Sequence, residues 1–357
     1  MFNILFHWLL FTRIDNLKPI FLLSSYFGER LGLYFAWLSF YTSWLLYISI
    51  PGILLAICQL LTMEIDQYLI PIYSLLLSLW ITLMNQTWRR HEAELVQIWN
   101  MQDFSRNSKE RQGYQYEYTI SLKTGDRTKQ PFIRPTIRKI VFTIPTIVFG
   151  LTLVAVSFIG FRIWRSVSTT FATSIVIGSV NGVTVFALGR LYIYLSTLLT
   201  NLENHQFEDE WRDSYMVKIF CFQFVNCYLS LFAIAFYDRD LSNLAYTMGS
   251  IFFVHQFLNH ISQLTIYYWY DLWNNYICRR KLAKDKTFPK DELRRNRNIL
   301  LETNYIKSNA IDPMSDYNEM VLQIGYLTMF SSVFPIAPFF AFLRNIWEIR
   351  GNNLMKC

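Results

Sequence analysis

The chain has 357 residues, 53% of them hydrophobic and 18% aromatic, with a formal net charge of +7. Mean hydropathy is positive, and the apolar residues come in long blocks, which excludes an ordinary water-soluble domain. The excess of base is not interleaved with aromatics as a nucleic-acid surface requires, and five cysteines form no secreted disulfide framework.

In chain order, Met1–Thr12 is apolar but lacks the basic n-region and small-residue cleavage site of a signal peptide. Residues 1–30 therefore read as a cytoplasmic or interfacial segment ahead of a membrane domain over 31–357. Blocks without Asp, Glu, Lys or Arg then recur at Leu31–Met63, Gln67–Trp88, Ile140–Phe161, Ser166–Gly189, Ile219–Tyr237, Leu241–Tyr270 and Met320–Leu343. A helix needs roughly 20 apolar residues to cross hydrocarbon, so each block but the last spans once. In the last, Phe334-Pro335-Ile336-Ala337-Pro338 breaks the run into two short spans joined by a tight turn. The expected class is an all-α, polytopic transmembrane bundle of about eight spans. They lie near Leu31–Cys58, Tyr68–Trp88, Thr136–Phe161, Val167–Leu199, Tyr215–Tyr237, Leu244–Trp273, Glu319–Phe334 and Ile336–Arg350. The polar stretch Glu92–Pro131 shows no strong periodicity.

Lys and Arg concentrate in the long connections 89–135 and 274–315, which the positive-inside rule places in the cytoplasm together with both termini. The connection Glu203–Asp213 fits poorly, being mostly acidic where alternation puts it on the same side.

Three pairs of oxygen-bearing side chains fall at similar depth on the last three spans. Asn259 and Gln263 are four apart, Asp316 and Glu319 three apart, and Glu348 and Asn352 four apart, so each pair shares a helical face. Six such groups on three helices suit a hard cation, which takes roughly six to eight oxygens. The same residues admit another reading. Asp316-x-x-Glu319 is a capping box, Glu348 can pair with Arg344 or Arg350, and Asn259 and Gln263 can join helices by hydrogen bonds. Polar stripes mark the fourth span (Thr170, Ser174, Asn181, Thr184) and the fifth (Gln223, Asn226, Ser230). They read either as the wall of a transport groove or as interhelical hydrogen-bonding surfaces. No nucleophile, catalytic triad or nucleotide loop stands out, so an enzyme is not expected.

The run Gln323-Ile-Gly-Tyr-Leu-Thr-Met-Phe330, then Phe334-Pro-Ile-Ala-Pro338, then Asn345-Ile-Trp-Glu-Ile-Arg350, resembles the seventh and eighth spans of the anoctamins. That family comprises calcium-activated chloride channels and phospholipid scramblases. Tyr26–Trp37 is similar to the family's entry into its first span, Trp88–Trp99 to the segment after the second, and Lys218–Asn226 to the fifth. The resemblance implies a ten-span fold of which eight spans are present here, without the family's large cytosolic N-terminal domain. It implies passive, calcium-regulated movement of chloride or phospholipid through a groove between the third and seventh spans. It implies a calcium site in which Asp316, Glu319, Glu348, Asn259, Gln263 and Asn352 stand at the ligand positions. Two of the expected carboxylates are amides here, so weaker calcium binding, or one ion instead of two, is expected. The family's homodimer contact lies largely on its last span, which leaves a homodimer in doubt. The expected partners are membrane lipids and chloride or other anions, in the plasma membrane or an intracellular one. The alternative is a membrane tether or structural paralogue that has lost transport and whose calcium site has decayed.

Overall fold

A computed structural model describes residues 21, 24, 25, 28–62, 68–101, 110, 111, 113–120, 125, 127–131, 135–138, 141, 143–167, 171–254, 258, 272 and 314–356. Among these residues eight helices of ten residues or more follow the order of the apolar blocks. They are α1 (Glu29–Thr62), α2 (Ile70–Ile98), α3 (Ile144–Val167), α4 (Phe171–Leu202), α5 (Glu208–Ala233), α6 (Leu241–Val254), α7 (Met314–Phe330) and α8 (Ala337–Lys356). Four of them (α1, α3, α4 and α5 with its π-helical extension Ile234–Asp238) are long and apolar enough to cross a membrane. The 34 residues of α1 extend about 51 Å at 1.5 Å per residue, well past a hydrocarbon core of about 30 Å.

The outer surface tells the same story as the length. Leu46, Ile50, Leu54, Ile57 and Leu61 project from α1, and Ile72, Leu75, Leu79 and Leu83 from α2, all exposed. Such contiguous apolar faces promote association in water but match lipid chains. Inward, Tyr34, Leu38, Tyr41 and Leu45 of α1 are fully buried, and α8 lies along α1 in the most extensive helix pairing of the molecule.

Contacts fix which helix ends lie together. At one end Arg30 pairs with Asp209 at 2.8 Å, Arg138 Nη1 donates to the Leu202 carbonyl at 3.0 Å, and Glu110 bridges Phe207. At the other end Arg162 pairs with Asp238 at 2.9 Å, and Gly52 lies against Pro335 in the α7–α8 turn. The chain therefore passes back and forth between two ends, as the hydropathy blocks require.

Several boundaries differ from the sequence-based expectation. α2 continues past Trp88 to Ile98, and α8 past Arg350 to Lys356. α5 begins at Glu208, not Tyr215, because Glu208, Asp209 and Glu210 sit in its first turn, where the helix dipole favours acids. The stretch read as featureless holds a hairpin, β1 (Tyr116–Ile120) antiparallel to β2 (Arg127–Pro131), with Tyr118 opposite Lys129. Gly125, at φ 72°, lies between its strands. Tyr116 stacks on Tyr114 and meets Tyr118 edge-on, so a short tyrosine row, not a long apolar alternation, marks the first strand.

The acidic connection has a partner. Arg111 pairs with Glu208 at 3.5 Å and stands over the Trp211 ring at 4.9 Å, while the side chain of Asn204 exchanges two 2.8 Å hydrogen bonds with the backbone of Gln115. The base-rich connection thus docks on the acid-rich one, which explains why the two share an end despite opposite charge.

Gly52 follows Pro51 inside α1, and a Cβ there would fall 2.4 Å from the Pro335 carbonyl oxygen and 2.9 Å from the Tyr73 hydroxyl. Gly52→Ala is expected to push α1 off the α7–α8 turn and cost about 1–3 kcal/mol, read as a lower Tm in detergent. Gly160→Ala in α3, where a Cβ meets nothing within 4 Å, should leave Tm unchanged or slightly raised.

Candidate functional site

The acids of the last two helices converge, the half-buried Asp316 and Glu319 of α7 on the buried Glu348 of α8. Asp316 sits in the first turn of α7, and Glu319 follows one turn later on the same face. Glu348 lies midway along α8 with only 4% of its surface exposed. Between the two glutamates stands Arg344, buried, one turn before Glu348 on α8. Its Nη2 donates to the Glu319 carboxylate and lies 3.8 Å from Glu348 Oε2. The other oxygen of Glu348 accepts a 2.8 Å hydrogen bond from the Tyr34 hydroxyl of α1. Tyr34 and Trp37 meet the ring of Tyr317 at 5.0 and 5.7 Å, so aromatic groups from α1 and α7 cover the cluster. Burial makes each charge expensive, and only the close opposite charge and the satisfied oxygens offset that cost. Gln323, one turn beyond Glu319, and Asn345, beside Arg344, are buried with neither amide atom hydrogen-bonded to protein.

Of the six proposed cation ligands, the structure thus brings Glu319 and Glu348 together through Arg344, with Asp316 on the same face of α7 as Glu319. Asn259 and Gln263 lie outside the described residues, and of Asn352 only the backbone is described. Asp316 stands inside the helix's first turn, behind Met314, instead of at the cap that the capping-box reading gives it. The pairing of Glu348 with Arg344 was legible from their spacing of four; the contact of Arg344 with Glu319 was not, because it joins two helices.

The polar stripes meet elsewhere. Asn181 and Thr184 of α4, Asn226 and Ser230 of α5 and Ser157 of α3 line one small cleft together with the apolar Val154, Phe158, Val185 and Leu229. Two interhelical hydrogen bonds cross beside it, from Asn181 Nδ2 to Ser230 Oγ at 3.2 Å and from Asn226 Nδ2 to the Val185 carbonyl at 2.8 Å. Gln223 is buried one turn before Asn226, near Gly189. Thr170 lies outside the described residues, and of Ser174 only the backbone is described. Below the cleft the three helices close: Tyr192 stacks on Phe222 at 3.8 Å, and a Cβ on Gly150 would stand 3.0 Å from Phe222.

A family model described as "Anoctamin: Calcium-activated chloride channel" matches residues 23–357. The chain belongs to the anoctamin family. It is 27% identical to Anoctamin-3 of Homo sapiens over 423 aligned residues, covering 93% of this chain and 42% of that protein. It is 28% identical to Anoctamin-10 of Mus musculus over 355 residues, covering 95% of this chain and 52% of that protein. The chain thus spans about half the length of these curated relatives. The anoctamin assignment makes it a polytopic helical membrane protein, in keeping with the long apolar helices.

The family description raises the question of calcium, and the donor set can be tested for it. Calcium sits among six to eight oxygens that supply net negative charge. Here the space between Glu319 and Glu348 is held by a guanidinium, and the nearby Gln323 and Asn345 are neutral. Among the described residues no group of three or more His, Cys, Asp or Glu is placed to hold a metal. Among the described side chains, the position between the two glutamates is thus taken by a cation of the chain itself.

A further anoctamin-chain cluster escaped the sequence analysis. Glu203, with 1% of its side chain exposed just past α4, accepts hydrogen bonds from Thr143 (2.6 Å), His205 Nε2 (2.8 Å), Ser214 (2.8 Å) and Lys218 Nζ (2.8 Å). Lys218 also donates to Thr200 and Ser214, at 3.0 Å each. The signal available was a lone Lys at the edge of the apolar run of α5, an expensive residue that implies a buried acid nearby. Burial pushes Glu203 up, but hydrogen bonds from His205, Lys218, Thr143 and Ser214 outweigh it and hold the carboxyl down at about 2. A folded pKa below the unfolded one adds stability that is complete above about 4.5 and disappears as pH falls toward 2. Glu203→Gln should cost about 3 kcal/mol near neutral pH by leaving Lys218 without its carboxylate. Thermal unfolding from pH 5 downward should show a shallower loss of Tm in Glu203→Gln than in the wild type.

Proposed function

We propose that the protein moves small anions or phospholipid passively across a membrane, along the polar cleft between α3, α4 and α5 and the adjoining helices up to α7. The observation that carries this reading is the convergence of Ser157, Asn181, Thr184, Asn226 and Ser230 on one cleft within helices whose outer faces are apolar. Uncharged hydroxyls and amides can replace part of an ion's or headgroup's hydration without trapping it, which suits passage more than tight binding. The name of the matched family, a calcium-activated chloride channel, supports anions as one cargo.

The end that carries the hairpin, the 203–207 connection and the start of α7 is read as cytoplasmic, because the base-rich connection lies there. At that end calcium is expected to act weakly at most on Asp316, Glu319 and Glu348, with Asn259, Gln263 and Asn352 adding amide oxygens but no charge. The working partners are membrane lipid and the transported anion.

Reconstitution of the full chain in liposomes, with lipid flip and halide efflux measured in parallel, tests the proposal and separates the two cargoes. Thr184→Leu, which fills the cleft from a half-buried site, should slow the active process about tenfold, equivalent to 1.4 kcal/mol of barrier, while Tm stays close to wild type. Folded protein that supports neither process would end the transport reading.

A further inference from the structure

We infer that Arg344 is a built-in cation that takes the place of a bound metal between α7 and α8, so that this chain holds its acidic helices together without calcium. The inference starts from three observations. The guanidinium is buried, it contacts carboxylates from two different helices, and it belongs to one of those helices. A guanidinium carries its charge at every accessible pH, and here one nitrogen, Nη2, donates to Glu319 while it lies 3.8 Å from Glu348.

The place of the tethered ion, between the two glutamates, is what opposes a free one. Glu319 and Glu348 bring two negative charges to the point where Arg344 removes one, Asp316 adds a third one turn before Glu319, and the Tyr34 hydroxyl solvates the oxygen of Glu348 that faces α1. A divalent ion entering this space would meet a positive charge a few ångströms away. At an effective dielectric constant near 20 that repulsion alone costs several kcal/mol, enough to lower affinity by orders of magnitude. Expelling Arg344 offers no escape, because the side chain would leave its two carboxylates for apolar surroundings formed by α1 and α7. Tethering also changes the entropy. An ion from solution is held in proportion to its concentration, whereas a side chain one helical turn from Glu348 is present at all times.

The consequence for regulation rests on the transport reading above: the α7–α8 contact stays closed whatever the calcium concentration, so any transport runs independently of calcium. The structural part does not need transport and is tested without it. Purified full-length chain in lipid nanodiscs is followed by thermal unfolding and by binding of radioactive calcium, with chelator or with calcium added.

The wild type should show the same Tm in both conditions and no saturable calcium binding. Arg344→Gln should gain a calcium-dependent rise in Tm and an affinity at least about tenfold above wild type, since the repelling charge is gone. Arg344→Lys, which keeps the charge, should remain indifferent to calcium. A second measurement decides the matter even where Arg344→Gln fails to fold. In chelator, Glu348→Gln should lower Tm, because it strips a carboxylate from a buried cation. Were the acids an empty metal site, the same substitution would raise Tm by relieving their repulsion. Saturable calcium binding by the wild type that Glu348→Gln abolishes, or a Tm of Glu348→Gln above wild type in chelator, overturns the inference. Absence of lipid flip and halide efflux would sink the transport proposal and leave these readouts standing.

Discussion

A buried carboxylate and a half-buried one, side by side in a helix bundle, repel each other and lose hydration, and here a single guanidinium offsets part of both costs. Arg344 reaches Glu319 on α7 and faces Glu348 on its own helix, while Tyr34 brings α1 to the same point. The three helices come from opposite ends of the chain, with Tyr34 and Glu348 separated by 314 positions in sequence. Lipid cannot drive them together as water does, since hydrocarbon is as apolar as their side chains. Directional polar contacts and close packing have to supply the specificity. The aromatic cover of Tyr34, Trp37 and Tyr317 keeps water from the cluster and so keeps the ionic attraction strong.

The same logic recurs at the junction of α4 and α5. Glu203 and Lys218 form a second buried pair, with every oxygen of the carboxylate engaged by Thr143, His205, Ser214 or Lys218. It fastens α3, α4 and α5 at the end where the hairpin docks. Small residues do the complementary work where no charge is present. Gly52 lets α1 meet the α7–α8 turn, and Gly178 and Gly182, four apart on α4, admit Ser250 and Val254 of α6. The cleft lies between these fastened regions, and the Asn181–Ser230 and Asn226–Val185 hydrogen bonds tie its own walls together.

How far the sequence carried the reading follows from the physics of each feature. Spans were legible because they depend on local composition over about 20 residues. The Pro-interrupted turn between α7 and α8 was legible for the same reason, and it lies between Phe330 and Ala337. Polar stripes were legible as faces, since periodicity is local; that Asn181, Thr184, Asn226 and Ser230 share one cleft needed the packing of α4 on α5. The hairpin stayed hidden because the alternation of Tyr116, Tyr118 and Ile120 with Glu117 and Thr119 lasts only five residues and its partner strand Arg127–Pro131 has none. The acidic connection looked misplaced because Arg30 and Arg111, which pair with Asp209 and Glu208, lie far away in sequence.

By itself the amino-acid order determined the class of molecule, the order of its helices and the face on which each polar group lies, because burial in lipid and helical periodicity act over short stretches. Tertiary structure alone decided which charges meet. Whether Glu319 and Glu348 form an open cradle for a metal or close on Arg344 depends on the approach of α7 to α8 and of α1 to both. Electrostatic energy depends on distance through space, and spacing along the chain fixes that distance only within a single helix.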